Sequence, residues 1–287
     1  MRFLCRFAVV LLILFDSTFG YADDITKETL SSVKGKSFND PAFVHFLSTL
    51  PKVAYDDQGN EPYYILEGDL RLTARQVWAK INEASEQTTA ASPNSELNIM
   101  LRDGVPDKWP VGHRHLTYAV DRKSFLPEQY KIIVRNFEAA VPAWTQPCQC
   151  GLTITHLAQY DSNPSTEKVT FVVRYDPTAV QFYALSFFPG DPVASRFVVI
   201  GPSYFAPTDY DLVGIIRHEI GHILGYRHSH IGGIKGCEYF EEHDHNWKAL
   251  SPYTGNSVMH YVCGGGGSPK FQLSSSDKTD HRKFYSH

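Results

Sequence analysis

The chain has 287 residues, 43% of them apolar, enough to bury a sizeable core, which excludes a disordered or fibrous polypeptide. A formal charge of −4 and a pI near 6.3 exclude a long basic face, and with it nucleic acid as the main partner.

Residues 1–22, MRFLCRFAVVLLILFDSTFGYA, carry Arg2 and Arg6, an apolar run over 7–15, and small residues at Gly20 and Ala22. That run is too short to span about 30 Å of hydrocarbon. The pattern is that of a secretory signal peptide cleaved near Ala22, against the blander reading of a buried N-terminal helix. No later segment reaches transmembrane length, so a secreted or periplasmic protein without membrane contact after cleavage is expected. Beyond Cys5 the cysteines are Cys148, Cys150, Cys237 and Cys263, an even set that suggests two disulfides in an exported chain. Cys237–Cys263 is the preferred bridge, because it closes the long loop after a histidine cluster. Cys148 and Cys150 are then a strained C-x-C pair or two thiols.

In chain order, residues 39–49 read as a helix, and YYILEGDLRLTARQVWAKI (63–81) as a strand, a turn at Gly68 and a short helix. A polar run rich in Ser, Ala and Thr marks a linker near 85–96. The pattern changes from Trp109. LTYAV (116–120) is a strand, followed by an amphipathic helix with Tyr130, Ile133, Val134, Phe137, Val141 and Trp144 on one face, which Pro142 ends or kinks. LTITHL (152–157), KVTFVVRY (168–175) and SRFVVIG (195–201) follow as strands. The order strand, helix, three strands, helix predicts an α/β layer ahead of the histidines.

The chemistry concentrates in RHEIGHILGYRHSHI (217–231). An apolar backing of Ile215, Ile216, Ile220, Ile223 and Leu224 predicts a buried helix up to Gly225. His218 and His222 are then i, i+4 neighbours on one face. Gly225 allows a sharp turn that returns His228 to the same point. Three neutral imidazoles plus a water make an open zinc site, and an open site is catalytic. Glu219 is not needed as a ligand and can take a proton from the zinc-bound water. His230 comes two residues too late for the spacing. His243 and His245 read as solvated loop residues, and His113, His115 and His156 as ordinary histidines.

HEIGHILGYRH (218–228) is a full H-E-x-x-H-x-x-G-x-x-H pattern, and SVMHY (257–261) follows it. Together they resemble the metzincin zinc endopeptidases, most of all the bacterial matrixin- and astacin-like peptidases with HEIGH. The resemblance covers the chain from about Trp109 to its end. It implies an α+β, zincin-like fold: a twisted mixed sheet with helices above an active-site helix, and an irregular lower subdomain with a Met-turn. It implies one catalytic Zn2+ on His218, His222 and His228, Glu219 as base, Met259 in the Met-turn, and Tyr261 reaching the metal or the oxyanion. ALSFF (184–188) is similar to the phrase bordering the edge strand that binds extended substrate, and LSSSD (273–277) to the opening of the terminal helix.

This chain departs from the family pattern at two places. Ser229 stands where astacins carry Glu, and no histidine stands in ALSFF to hold a second structural zinc; a structural Ca2+ is left open. The division implied is a signal peptide at 1–22, a pro-region at 23–108 and a peptidase domain at 109–287. No cysteine between Cys5 and Cys148 can cap the metal, whereas LEGDL (66–70) resembles the F-x-G-D propeptide motif of astacins and offers Asp69 as a latency switch, against a plain turn before a helix. The expected protein is a monomeric, secreted metalloendopeptidase acting on extended protein or peptide substrates. Its rivals are an inactive binding or adhesion protein of the same fold and a zinc hydrolase of a non-peptide amide.

Overall fold

The β-branched and aromatic runs of the sequence pair into one mixed sheet in the computed structural model, which describes residues 32–53, 62–67, 70–83, 96–231, 234–237 and 246–286. Strands β6 (His115–Val120), β7 (Thr153–His156), β8 (Phe171–Tyr175), β9 (Ala184–Leu185) and β10 (Phe197–Ile200) form this sheet in the order β7-β6-β8-β10-β9. Every pairing is parallel except β10 with β9, where Val199 faces Leu185 and Ile200 faces Ala184. Strand β9 is therefore an antiparallel edge strand. β10 is buried at every position, as expected of a parallel strand covered on both faces.

Helix α3 (Pro127–Ala140) lies on one face. Pro127 opens it, and the Gln129 side chain accepts from the Leu126 amide at 3.0 Å, satisfying a donor that the first turn leaves unpaired. Its predicted stripe is buried at Ile133 and Phe137. Pro142 does break the helix: Val141 ends α3, and α4 (Pro142–Cys148) starts anew and carries Trp144 into the core. Trp144 donates from Nε1 to the Arg217 carbonyl at 2.9 Å and stacks on Tyr226 with centroids 5.2 Å apart. Helix α5 (Leu212–Ile223) passes beneath; its N-cap Asp211 accepts from the Val213 amide at 3.0 Å. Helix α6 (Ser275–Tyr285) closes the chain with a Ser274–Asp277 capping box.

Nearer the N-terminus, α1 (Pro41–Thr49), β1 (Lys52–Val53), β2 (Tyr63–Glu67), β3 (Leu70–Leu72) and α2 (Ala74–Glu83) form a unit whose core includes Phe43, Phe46, Leu47, Val77 and Ile81. Strand β2 also reaches the central sheet. Ile65 is buried in a cluster with Ala119, Val172, Leu185, Phe197 and Val199, on the face away from the helices.

Besides the central sheet and the three-stranded sheet β1-β2-β3, a further sheet has no counterpart in the sequence reading. Strand β4 (Asn98–Arg102) pairs antiparallel with β11 (Tyr226–Arg227), β12 (Trp247–Ala249) and the short β5 (Val105–Pro106). Leu97 and Ile99 belong to the same core cluster as Trp144, Ile220 and Met259. Residues 96–107 precede the expected boundary at 109, and the contacts of β4 run across it. Residues 1–22, read above as a signal peptide, and Gly68 and Asp69, read above as a turn, lie outside the described residues. Among the described residues, no helix is long and apolar enough to cross a membrane.

Candidate metal centre

Helix α5 carries His218 and His222 one turn apart, both buried. The helix ends at Ile223, and the chain reverses at Gly225 with φ +92°. Two constraints meet at this glycine. An L side chain rarely adopts that φ, and a Cβ there would stand 2.1 Å from the Asp107 carbonyl oxygen. Strand β11 follows at once, pinned by Tyr226 facing Ile99 and Arg227 facing Asn98, with the Met100 amide donating to the Gly225 carbonyl at 2.8 Å. His228 emerges from this strand, and Asn98 Nδ2 donates to its carbonyl at 2.9 Å.

The three rings converge, with centroids 5.0 Å apart for His218 and His222, 5.3 Å for His218 and His228, and 4.9 Å for His222 and His228. One ring nitrogen from each lies within 4.8 Å of the others. His218 Nδ1 is 2.8 Å from the Val258 carbonyl oxygen and His222 Nδ1 is 2.7 Å from that of Tyr226. A carbonyl only accepts, so in a neutral ring each Nδ1 carries the proton and Nε2 keeps the lone pair. This is how metal-ligating histidines are oriented and kept in one tautomer. Nε2 of His222 and of His228, and Oε2 of Glu219, are all buried. The donor set fits one borderline cation such as zinc.

Glu219 follows His218 on the helix and is 2% exposed, its carbonyl accepting from Ser186 Oγ at 3.1 Å. Ser186 directly follows β9, so this bond ties the sheet edge to the helix. Phe188, just beyond, meets His222 edge-on at 5.6 Å, and Phe271 meets His218 likewise at 5.3 Å. These aromatic walls limit water around the imidazoles.

The turn at 257–261 closes the site from below. The buried Met259 packs against Gly221 so closely that a Cβ there would lie 2.2 Å from Sδ. Met259 O accepts from the Ser229 amide at 3.0 Å, and the turn's Val258 carbonyl is the partner of His218. The turn is anchored by Asp277, whose carboxylate accepts from Ser257 Oγ at 2.8 Å, the Val258 amide at 2.9 Å and the Ser274 amide at 2.9 Å. Burial pushes the Asp277 carboxyl up to about 7, against the pull of those donors. Tyr261 is half-buried over the ligands, its centroid 4.6 Å from His228 and 5.5 Å from His218.

His218, His222, His228, Glu219, Met259 and Tyr261 are thus brought together. Cys237 pairs with Cys263, and Cys148 with Cys150. Asp69, His243 and His245 lie outside the described residues. His113 and His115 are exposed, and His156 pairs with Asp161 at 3.0 Å, all away from the site. His230 differs from an ordinary histidine: it is 1% exposed, stacked on His228 at 5.0 Å and 5.2 Å from His260. Sequence reasoning passed over Asn98, Ser186 and His260, and gave Asp277 no role in holding the turn. Only Asp277 carried a local signal, the S-x-x-D capping pattern.

No protein-family model matches the chain, and no curated protein does. Among solved structures, it is similar to one described as "Structure of myroilysin", at 17% identity and a TM-score of 0.44, covering 66% of this chain and 98% of that one. It is also similar to a "Crystal structure of myroilysin", at 16% identity and a TM-score of 0.41, covering 63% of this chain and 86% of that one. At this distance the likeness leaves the site to be read from its own geometry.

Proposed function

We propose that this chain is an exported zinc-dependent endopeptidase of metzincin type, with His218, His222 and His228 as ligands and the turn at Met259 as its Met-turn. The observation that carries the reading is the convergence of three buried imidazoles, two with Nδ1 held by main-chain carbonyls, beside a buried carboxylate. Zinc held by these three imidazoles would supply Lewis acidity to the scissile carbonyl and to a water. Glu219 takes the proton of the attacking water as its oxygen adds to the carbonyl carbon, then delivers it to the leaving amine nitrogen as the C–N bond breaks. The Tyr261 hydroxyl donates to the oxygen on which charge develops. An extended substrate adds as a further strand beside β9, the last strand of the sheet, so main-chain hydrogen bonds align it before side chains select it. Asp69 serves as the latency switch within a pro-region that ends ahead of β4, because Asn98 and Asp107 belong to the site's own framework, and removal of the residues before β4 releases activity.

The test is hydrolysis of casein by the mature protein, its loss with a chelator and its return with zinc. Glu219→Ala should keep near-stoichiometric zinc while losing about three or more orders of magnitude in rate. A variant as active as the parent rejects the mechanism. A parent that binds zinc but cleaves neither protein nor peptide favours the binding-protein reading.

A further inference from the structure

One group of ligating side chains, two of them buried and one half-buried, takes no part in the proposed hydrolysis. His230, 1% exposed, and His260, 0% exposed, each bring a ring nitrogen, and Cys263 its sulfur, to within 4.8 Å of one another. Two imidazoles and a thiolate form a set that zinc favours over magnesium or calcium. Yet Cys263 is bonded to Cys237, and a disulfide sulfur has no thiolate charge to offer a cation.

We propose that opening the Cys237–Cys263 disulfide creates a second zinc site on His230, His260 and Cys263, so that disulfide and metal are alternative states of one sulfur. The chemistry balances with a dithiol as reductant. Its thiolate attacks one sulfur of the bridge, its second thiol completes the exchange, and it leaves as a cyclic disulfide. Two electrons and two protons pass to the protein, which ends with two thiols. Cys263 then releases its proton to solvent as the sulfur takes up the cation, while Cys237 keeps its own.

The surroundings suit a cation once the sulfur is free. Both rings are buried, so their solvation is already lost on folding. At His260, Nδ1 lies 2.5 Å from the Tyr261 carbonyl and Nε2 lies 2.6 Å from the Tyr253 hydroxyl, and a cation replaces one of these partners. The new site adjoins the first: His230 stacks on His228 at 5.0 Å, and Tyr261 lies 4.9 Å from His230 and 4.6 Å from His228. Charge entering there acts on a ligand and on the tyrosine above it.

Metal content is the readout, so the outcome is independent of whether the first site hydrolyses anything. Full-length Cys237→Ser, which leaves Cys263 as a thiol without any reductant, should hold one more equivalent of zinc after dialysis than the oxidised parent. With Co2+ as probe it should show a thiolate-to-cobalt charge-transfer band that the parent lacks. Adding His260→Ala should remove both the extra equivalent and the band. Equal zinc in Cys237→Ser and parent overturns the proposal, as does an extra equivalent that survives His260→Ala. Should Cys237→Ser not fold, the parent reduced by a dithiol answers the same question. Zinc should slow alkylation of Cys263 by about tenfold or more while leaving Cys148 and Cys150 unprotected, and equal rates at Cys263 with and without zinc overturn the proposal.

Discussion

Helix α5 and the strand that follows it place the three converging histidines in opposite ways. His218 and His222 owe their proximity to one helical turn, a local property of twelve residues from Leu212 to Ile223. His228 owes its place to a segment more than 120 residues away. Strand β4 pairs with β11, the Asp107 carbonyl crowds Gly225, and Asn98 holds the His228 carbonyl. The first arrangement survives wherever the helix forms, whereas the second needs the whole domain. A site built from both is assembled only in the folded chain.

The comparison breaks most severely at the third ligand. His228→Ala should lose zinc outright, because two imidazoles on a helix make a poor site; atomic emission on the dialysed variant checks this, and unchanged zinc would hand the role to His230. Gly225→Ala comes next, imposing both a disfavoured φ and a clash with Asp107 O, and should cost about 3 kcal/mol or more by denaturant unfolding. A substitution without effect would mean that β4 does not constrain the turn.

A pH effect separates the two halves further. His281 joins α6 to the β11 side, with Nδ1 2.7 Å from the Tyr226 hydroxyl and Nε2 3.0 Å from the Trp144 carbonyl. Burial lowers its pKa from 6.5 to about 4. The folded form thus resists protonation, and its contribution is complete above 6.5 and is lost as pH falls through 4. Over that interval the parent should lose about 3 kcal/mol more stability than His281→Gln. Parallel pH profiles of unfolding would deny the buried neutral ring. The smallest effect is expected at Asn98→Ala, which removes one buried hydrogen bond to the main chain of a ligand. Zinc affinity should fall by about tenfold with the helix intact by circular dichroism; unchanged affinity would make Asn98 a packing residue.

Much of this was legible in advance because the signals were local. The runs read as strands became β6, β7, β8 and β10, Pro142 broke the helix where its ring had to, and Gly225 took the positive φ that the H-x-x-G-x-x-H spacing demanded. His218, His222, His228, Glu219, Met259 and Tyr261 each stand at a fixed offset within a short motif, so the sequence shows them as candidates, and the three imidazoles converge in the fold. β4 was not visible: NIMLR follows a polar run, lacks a clear alternation, and becomes a strand only because β11 and β12 present edges to it. His230 failed for a related reason. Its offset from His228 says nothing of burial, and its neighbours His260 and Tyr261 come from 30 or so residues further on.

The sequence by itself determined which atoms could bind a metal and where a helix and a tight turn would set them, because helical period and glycine φ are properties of a few adjacent residues. Tertiary structure alone decided that Asn98 supports His228, that Asp277 anchors the turn under Met259, and that His230, His260 and Cys263 meet. Those contacts join residues far apart in the chain, and their closeness follows from the packing of sheets and helices into a common core, which no local pattern encodes.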